Sequence, residues 1–296
     1  MQAQDKKAIS DATGVVINSV RAVGGGDDSE AFTVDTDGGK RLFVKMNRSN
    51  KGLDKYDAEV QGLNSMRETG SIRVPRPIAV VPLGGGREGA ALIMEYIKLC
   101  RASPATQRKF GEHLARMHLA PAGKRFGHHR DNWCGATPQV NEWCDDWVEF
   151  FAKHRLHKQA SMIVQGHKDN QLAARVDELC NVMRERFFEG IEVRPSLLHG
   201  DLWSGNWAAD ENGEPVLYDP ACYIGHSEAE LSIMTMFGSP SKEFFEAYYE
   251  LLPRHEKCFE DRQLLYQLYH YMNHYNLFGS GYRGSCMSIL DRLLKK

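Results

Sequence analysis

The 296-residue sequence lacks the features that mark several large classes of protein. It has no run of about 18 apolar residues, the length that a membrane-spanning helix needs. Its first residues lack the apolar core of a secretory signal. Its seven cysteines form no C-x-x-C pair, and its 12 histidines form no H-E-x-x-H motif. Disulfide scaffolds, cysteine-rich zinc sites and transmembrane proteins are therefore disfavoured, and we expect a cytoplasmic protein with reduced thiols.

The sequence also lacks an excess of charge of either sign. Its 37 Lys and Arg residues against 39 Asp and Glu residues give a formal net charge of −2. A nucleic-acid partner or a polybasic membrane contact is therefore not expected. Hydrophobic residues make up 42% of the chain and charged residues 26%, which is typical of a globular protein. The length suggests two domains or lobes at roughly 100–200 residues each, and we expect a monomer.

Strand patterns dominate the first third of the chain, and helix patterns dominate the rest. Short apolar runs between Gly-rich turns predict strands at 15–23, 31–35, 41–46, 78–81 and 90–94. Apolar residues at helical spacing predict helices at 6–13 and 53–66. Ser103 and Pro104 predict the start of a further helix. Later helices are predicted at 143–156, 172–188, 228–237, 242–251, 262–278 and 287–294.

This order predicts an α+β fold with two lobes. A small N-lobe at 1–95 would contain a five-stranded antiparallel sheet with a helix and would bind a nucleotide. A larger, mainly helical C-lobe at 96–296 would carry the catalytic loop and the substrate pocket.

The strongest chemical signal lies at Asp201 and Asn206. These residues stand five apart, which is the spacing of the kinase catalytic loop H-R-D-x-x-x-x-N. Phosphoryl transfer needs a carboxylate near the attacking hydroxyl and oxygen ligands for Mg²⁺. A turn predicted at 210–213 would bring Asp219 back beside Asn206, so that these two residues form the metal site. The alternatives are an ordinary polar turn at Asp201 and a strand-end turn residue at Asp219.

Lys45 is a charged residue inside an apolar strand, and such a residue needs a partner or an exposed face. One interpretation places it on the solvent side of a half-buried strand. The other places it at the α- and β-phosphates of ATP, paired with Glu59 of the following helix. Asp57 is a less favoured partner, because Glu59 lies beside the inward face of that helix.

Two backbone segments are candidates for nucleotide contacts. The turn Gly24-Gly25-Gly26 allows backbone N–H groups to approach phosphates closely. It is neither a Walker A loop, which needs GK[ST], nor a Rossmann fingerprint, because a strand follows it. The end of the fifth strand can pair with the adenine edge through its backbone, and the residues predicted for this contact are Met94, Glu95 and Ile97.

The order of these features resembles the protein-kinase-like fold, and longer segments are more specific. They are HGDLWSGN, LYDPACYIGHSEAELSIM, FGHHRDNWCGATPQVNEWCDDW and HYMNHYNLFGSGYR. Together they resemble the fructosamine-3-kinase, or ketosamine kinase, family over nearly the whole chain. The aminoglycoside and choline kinases share the Asp/Asn/Asp core without these flanking segments.

The resemblance implies an ATP-dependent kinase that phosphorylates the sugar 3-hydroxyl of ketosamines. The substrates would be ribulosamine or fructosamine adducts on amines or proteins, and breakdown of the product would lead to protein deglycation. By position, Asp201 would be the base, Asn206 and Asp219 would hold Mg²⁺, and Lys45 with Glu59 would hold the ATP phosphates. For the substrate, the resemblance implies Trp203 as a platform and His274 as a wall of the sugar pocket.

Three alternatives remain at this stage. Trp203 could be only a packing anchor for its loop. The protein could be another small-molecule kinase acting on an aminoglycoside or choline, although an aminoglycoside site needs an acidic rim. It could also be a pseudokinase that binds nucleotide without turnover, although retention of Lys45, Asp201, Asn206 and Asp219 argues against this.

Overall fold

The computed structural model describes residues 1–25, 29–83 and 89–295. Its first part is an antiparallel sheet of five strands in the spatial order β1-β2-β3-β5-β4. The strands are β1 (Ile17–Gly24), β2 (Glu30–Thr36), β3 (Arg41–Asn47), β4 (Pro77–Pro82) and β5 (Ala90–Glu95). Two helices pack against the sheet, α1 (Ala3–Thr13) and α2 (Gly52–Glu68). The predicted five-stranded sheet with its helix is therefore confirmed.

Alternation along β3 assigns its side chains to two faces of the sheet. Leu42 and Val44 are buried in a core that includes Ile9 of α1. Successive residues of a strand point to opposite sides, so Lys45 lies on the other face, within reach of Glu59 and of the Tyr56 ring on α2. The run is apolar because both faces of the strand pack against apolar clusters, and Lys45 lies beside the smaller one, which includes Phe43 and Tyr56.

The remainder of the chain is mainly helical. Its helices are α3 (Pro104–Leu119), α4 (Trp147–Phe151), α5 (Lys158–His167), α6 (Asn170–Phe187), α7 (Ser227–Met234), α8 (Lys242–Leu251), α9 (Phe259–Phe278) and α10 (Arg283–Leu294). A π-helical stretch at Ala152–His157 joins α4 to α5, and a 3₁₀ turn at Ser280–Tyr282 joins α9 to α10. The long helix α9 lies in the largest apolar core, with contacts to α5, α7 and α10.

Short strands interrupt the helices and support the loops of the site. They are β6 (Asn132–Cys134), β7 (Thr137–Gln139), β8 (Pro195–Leu198), β9 (Trp207–Ala209), β10 (Pro215–Leu217) and β11 (Tyr223–His226). β6 pairs with β7, β8 with β11, and β9 with β10, all antiparallel. The β9–β10 pair confirms the hairpin that the turn at 210–213 predicts.

Helix boundaries differ from the predictions mainly at their starts. The helix predicted at 143–156 begins only at Trp147, because the side chain of Asp146 accepts a hydrogen bond from the backbone N–H of Glu149 (2.7 Å) and caps it there. It then continues through the π-helical stretch to His167. Helix α9 begins at Phe259 and α10 at Arg283, both earlier than predicted. Ser103 caps α3 as predicted, accepting from the N–H of Thr106 (3.1 Å).

A second apolar core joins the two parts of the molecule. Leu63 and Met66 of α2 are buried together with Phe110 of α3 and Leu217 of β10. This core fixes the helix that carries Glu59 against the hairpin that leads to Asp219. Within the described ranges, no helix is both long and apolar enough to cross a membrane.

Candidate active site

A cleft of about 520 Å³ lies between the sheet and the helical part of the chain. One side is formed by β3 and α2, and the other by the β6–β7 hairpin, the loop after β8 and the end of α9. The cleft brings together the following predicted residues: Lys45, Glu59, Asp201, Trp203, Asn206, Asp219 and His274. Residues that are up to 229 positions apart in the printed sequence thus share one cavity.

The loop that carries Asp201 begins directly after β8 and is fixed from two directions. Gly200 has a φ of 83°, and a Cβ atom there would lie 2.2 Å from the carbonyl oxygen of Ala221, so only glycine fits. The buried ring of His199 accepts at Nδ1 from the N–H of Asp201 (3.3 Å) and donates from Nε2 to the carbonyl of Tyr218 (2.9 Å). Burial lowers the pKa of His199, which favours this neutral tautomer.

The sequence interpretation missed Glu230, which supports the same loop from behind. Its buried carboxylate on α7 accepts hydrogen bonds from the backbone N–H groups of His199 and Gly200 (3.0 Å for the second). The available signal was a carboxylate between the apolar residues of a short helix, since a buried charge needs compensating donors. Glu230 therefore positions the backbone that presents Asp201.

Asn206 and Asp219 meet as the predicted hairpin requires. The backbone N–H of Tyr218 donates to the carbonyl of Asn206 (3.0 Å). The side-chain amide of Asn206 donates to the backbone carbonyl of Asp201 (2.8 Å) and to its carboxylate (3.3 Å). Its Oδ1 is then the atom left to act as a ligand. Asp219 has a φ of 58°, a left-handed conformation that is uncommon for a residue other than glycine.

Lys45 forms ion pairs with two carboxylates, at 2.8 Å from Glu59 and 3.0 Å from Asp219. Burial alone would lower the pKa of Lys45, but the charges of Asp219 and Glu59 outweigh it and raise that pKa, so the ammonium group stays charged. Asp57, the less favoured partner, instead lies 4.0 Å from Arg130. The solvent-face interpretation of Lys45 does not fit this buried pairing.

The carboxylates of the cleft lie close enough to influence one another. Burial, followed by the charges of Asp219 and Glu230, raises the pKa of Asp201 to about 8, although the Asn206 amide opposes this. A cation beside Asp219 would relieve the repulsion. One amide oxygen and one carboxylate suit Mg²⁺, which usually takes its other ligands from phosphate and water. No group of three or more His, Cys, Asp or Glu side chains suited to a metal occurs in the part of the chain that the structure describes.

Among the described residues of the two predicted nucleotide segments, Gly24, Gly25 and 94–97 lie outside the lining of the cleft. Gly24 ends β1 and Gly25 follows it, whereas Gly26 lies outside the described residues. At the end of β5, the carboxylate of Glu95 bonds to Arg73 (2.6 Å). The Glu95 N–H donates to the carbonyl of Arg76 (2.9 Å). The contacts proposed for Met94, Glu95 and Ile97 stay predictions.

Aromatic rings form the side of the cleft away from Lys45. Trp203 is 38% exposed and lies over Gly205, where a Cβ atom would be 2.2 Å from the indole ring. The rings of Phe237, Phe278 and Tyr282 lie 5.0, 5.5 and 5.1 Å from that of His274. These three rings were not predicted, because nothing in their local sequence distinguishes them from core residues.

The tautomer of His274 follows from one contact. Its Nδ1 lies 2.7 Å from the carbonyl oxygen of His270. A carbonyl only accepts, so Nδ1 carries the hydrogen, and Nε2 of the neutral ring is an acceptor. His274 lines the cleft, so in its neutral form Nε2 would be an acceptor on the side that also carries Phe237, Phe278 and Tyr282.

An antiparallel sheet above a helical part, with a Lys–Glu pair facing an Asp/Asn/Asp set, is the architecture of kinase-like phosphotransferases. A solved aminoglycoside phosphotransferase in complex with streptomycin and ATP has this fold, with a TM-score of 0.64 at 15% identity over 100% of this chain and 97% of that one. This likeness shows the fold alone. A model of the fructosamine kinase family matches residues 1–296, and the chain belongs to that family.

Individual relatives agree with this assignment. The chain is 45% identical over 280 residues to a protein-ribulosamine 3-kinase, chloroplastic, of Oryza sativa subsp. indica, covering 94% of this chain and 80% of the relative. It is 38% identical over 308 residues to the ketosamine-3-kinase of Mus musculus, covering 94% and 96%. A solved structure from Thermobifida fusca YX-ER1, provisionally named a fructosamine-3-kinase, has a TM-score of 0.85 at 28% identity over 98% of each chain. The protein is therefore a kinase, as predicted.

Proposed function

We propose that this protein uses Mg²⁺ and ATP to phosphorylate the 3-hydroxyl of ketosamines, the ribulosamine or fructosamine adducts of amines and proteins. The observation that carries the proposal is the cleft itself, in which the charged set of Lys45, Asp201 and Asp219 adjoins an aromatic side with Trp203 and His274. The family assignment and the names of the rice and mouse relatives support the substrate class.

The proposed division of labour follows the two lobes. The N-lobe at 1–95 binds the nucleotide, with Lys45, oriented by Glu59, at the phosphates. By the same proposal, backbone N–H groups of the sequence Gly24-Gly25-Gly26 would contact the phosphates, and the backbone of 94–97 would contact adenine. The C-lobe at 96–296 holds Mg²⁺ through Asn206 and Asp219, and the ion would neutralise charge on the phosphate oxygens.

Asp201 is the proposed base. It is half-buried in the wall of the cleft, and its raised pKa of about 8 makes its carboxylate a stronger base than a surface aspartate. A cation beside Asp219 would favour the carboxylate form that can accept a proton. Backbone N–H groups of the loop donate to Glu230 and to the ring of His199, which fixes the loop that presents Asp201. The Asn206 amide donates to the Asp201 carboxylate. Asp201 then orients the 3-hydroxyl and accepts its proton as the phosphoryl group is transferred.

The acceptor side favours a ketosamine over an aminoglycoside. The carboxylates among the described lining residues are Glu59, Asp201 and Asp219, and all three belong to the phosphate-transfer centre. A polycationic aminoglycoside requires several further carboxylates for complementary charge. A ketosamine has one amine and a sugar chain, which suit the flat face of Trp203 and the acceptor Nε2 of His274.

The chemistry of the product explains the link to deglycation. A phosphate on carbon 3 can leave after carbons 1 and 2 enolise. Hydrolysis of the resulting imine at carbon 1 then releases the amine. Phosphorylation at the 3-hydroxyl therefore converts a stable adduct into one that breaks down and restores the amine.

The predictions of cellular location and oligomeric state rest on the sequence alone. A cytoplasmic location and a monomeric state stay predictions, as does the expectation of no nucleic-acid partner. The rice relative is named as chloroplastic, so family membership does not indicate a single compartment.

The proposal is tested by ATP consumption with purified protein, Mg²⁺ and separate acceptors: a ribulosamine, a fructosamine, choline and an aminoglycoside. The Asp201→Asn variant is the negative control. We expect the wild type to turn over a ketosamine and the Asp201→Asn variant to show no turnover. Turnover with the aminoglycoside or choline alone would replace the proposed substrate class. Nucleotide binding without turnover on any acceptor would favour a pseudokinase.

A further inference from the structure

The β6–β7 hairpin is a wall of the cleft that the proposed mechanism does not use. Residues 132–136 of the hairpin all line the cleft, on the side of His274. Gly135 at its tip has a φ of 62°, and a Cβ atom there would lie 3.5 Å from the side chain of Leu277 on α9. The position of this hairpin therefore sets the space available beside α9 for an acceptor.

Gln139, at the end of the hairpin, is buried, and both the nitrogen and the oxygen of its side-chain amide form hydrogen bonds. Its Nε2 donates to Oδ1 of Asn132 (2.8 Å) and to the carbonyl of Ala221 (3.1 Å). Its Oε1 accepts from the hydroxyl of Tyr269 on α9 (2.8 Å). Asn132 in turn donates to the carbonyl of Cys222 (2.7 Å). The Gln139 amide thus connects the hairpin and helix α9 to Ala221, two residues after Asp219.

A second hydrogen bond links the hairpin to helix α9 on the proposed acceptor side. The side-chain amide of Asn273, one residue before His274, donates to the carbonyl of Cys134 in the hairpin (3.4 Å). Asn132, Gln139 and Asn273 are all buried. Buried amides hold their partners in fixed directions, because leaving any of these groups unpaired inside the protein is costly. An apolar core would fix the same elements less directionally.

We propose that Gln139 is a positioning residue that couples the acceptor wall of the cleft to the backbone that presents Asp219. Binding of Mg²⁺ and nucleotide at Asp219 then orders the hairpin through the carbonyls of Ala221 and Cys222, before any acceptor arrives. The inference rests on the proposed roles of Asp219 and of the acceptor side. Coupling of this kind is reciprocal, so an acceptor would also strengthen nucleotide binding.

Hydrogen–deuterium exchange of the peptide 132–139 with and without Mg·ADP tests the coupling. In the wild type we expect Mg·ADP to slow exchange in this peptide by at least about threefold. In Gln139→Met, which keeps the side-chain length and loses the amide, we expect no slowing at saturating Mg·ADP. Tyr269→Phe leaves Oε1 of the buried Gln139 amide without its donor and so loosens the amide that bonds to Ala221. We expect it to lose part of the slowing by Mg·ADP, which provides a milder variant should Gln139→Met fail to fold.

Tyr266→Phe is the matched control. It removes another buried hydroxyl from α9, one that bonds to Trp147 (3.0 Å) and His226 (2.7 Å), outside the lining of the cleft. We expect a similar loss of stability and full retention of the Mg·ADP effect on the peptide 132–139. A merely structural role for Gln139 predicts that Tyr266→Phe and Tyr269→Phe behave alike.

Two results would overturn the coupling: no response of the hairpin to Mg·ADP in the folded wild type, or the same response in Gln139→Met as in the wild type. The experiment contains no acceptor, so an incorrect assignment of the ketosamine substrate leaves its outcome readable. Where a ketosamine is turned over, Gln139→Met should lower kcat/KM for it by at least about tenfold, because a small displacement of the acceptor is costly.

Discussion

The two sides of the cleft are built from different chemistry. On the side proposed to bind the nucleotide, Lys45 is held between Glu59 and Asp219 by ion pairs of 2.8 and 3.0 Å. On the acceptor side, the described lining consists mainly of rings and amides, and the hairpin wall is held by neutral hydrogen bonds such as that from Tyr269 to Gln139. One side is organised by full charges and the other by neutral groups.

This difference matches what each side is proposed to hold. Triphosphate and Mg²⁺ carry full charges, so the side chains around them must be charged. When no ligand is bound, these side chains must pair with one another. A sugar with one amine is better served by flat rings and directional acceptors. Variants on the two sides should therefore separate nucleotide effects from acceptor effects.

The largest expected effect is that of Asp201→Asn, at the junction of the two sides. Removal of the base should lower kcat by about 10²–10⁴-fold. Mg·ADP affinity by calorimetry should change little, because Asp201 is proposed to contact the acceptor. Asp177→Asn, at an exposed position on α6, is a suitable control. Undiminished kcat in Asp201→Asn would remove its role as base.

Asp219→Asn should act on the nucleotide side. It keeps the shape of the side chain and removes the charge that faces both Lys45 and the proposed Mg²⁺. We expect at least about a tenfold weaker binding of Mg·ADP. Calorimetry with Mg²⁺ and with a chelator separates the two partners of Asp219, since the loss should occur mainly with Mg²⁺. An equal loss without Mg²⁺ would place the effect on Lys45 instead.

Trp203→Ala should act on the acceptor side. Loss of the stacking face should raise the ketosamine KM by about tenfold, and the ATP KM should stay within about twofold. Trp203→Phe keeps an aromatic face, so its ketosamine KM should fall between those of the wild type and Trp203→Ala. Equal increases in both KM values would identify Trp203 as a packing anchor for its loop.

The smallest effect concerns stability where the two sides meet. A Cβ atom at Gly62 on α2 would lie 3.1 Å from the sulfur of Cys222, so overpacking should offset the helix-propensity gain of up to about 1 kcal/mol and leave Gly62→Ala less stable than Gly166→Ala. Gly166→Ala on α5 has no described atom within 4 Å of the new methyl group and should stabilise by up to about 1 kcal/mol. Urea denaturation measures the free energy of unfolding of both variants, and a Gly62→Ala variant as stable as Gly166→Ala would contradict the expected crowding against Cys222.

The charged residues that line the cleft were predictable, because those predicted each leave a local signal. Lys45 interrupts an apolar strand, and Asp201 and Asn206 have a recognisable spacing. The sheet was predictable for a similar reason, since alternation and Gly-rich turns are local patterns. These features depend on a few neighbouring residues each.

The neutral half was not predictable in the same way. Gln139 bonds to Ala221 and Tyr269, which are 82 and 130 residues away, and no local pattern marks an amide with distant partners. Glu230 likewise bonds to backbone groups 31 and 30 residues earlier. Their roles depend on the tertiary fold, which brings separate elements into one network.

The most direct test of the proposed reaction is the position of the phosphate in the product. Proton–phosphorus correlation NMR of a ribulosamine incubated with the protein, Mg²⁺ and ATP should show phosphorus coupled to the proton on carbon 3, followed by slow release of free amine. A phosphate on any other oxygen of the sugar, or a stable product that retains its amine, would contradict the account.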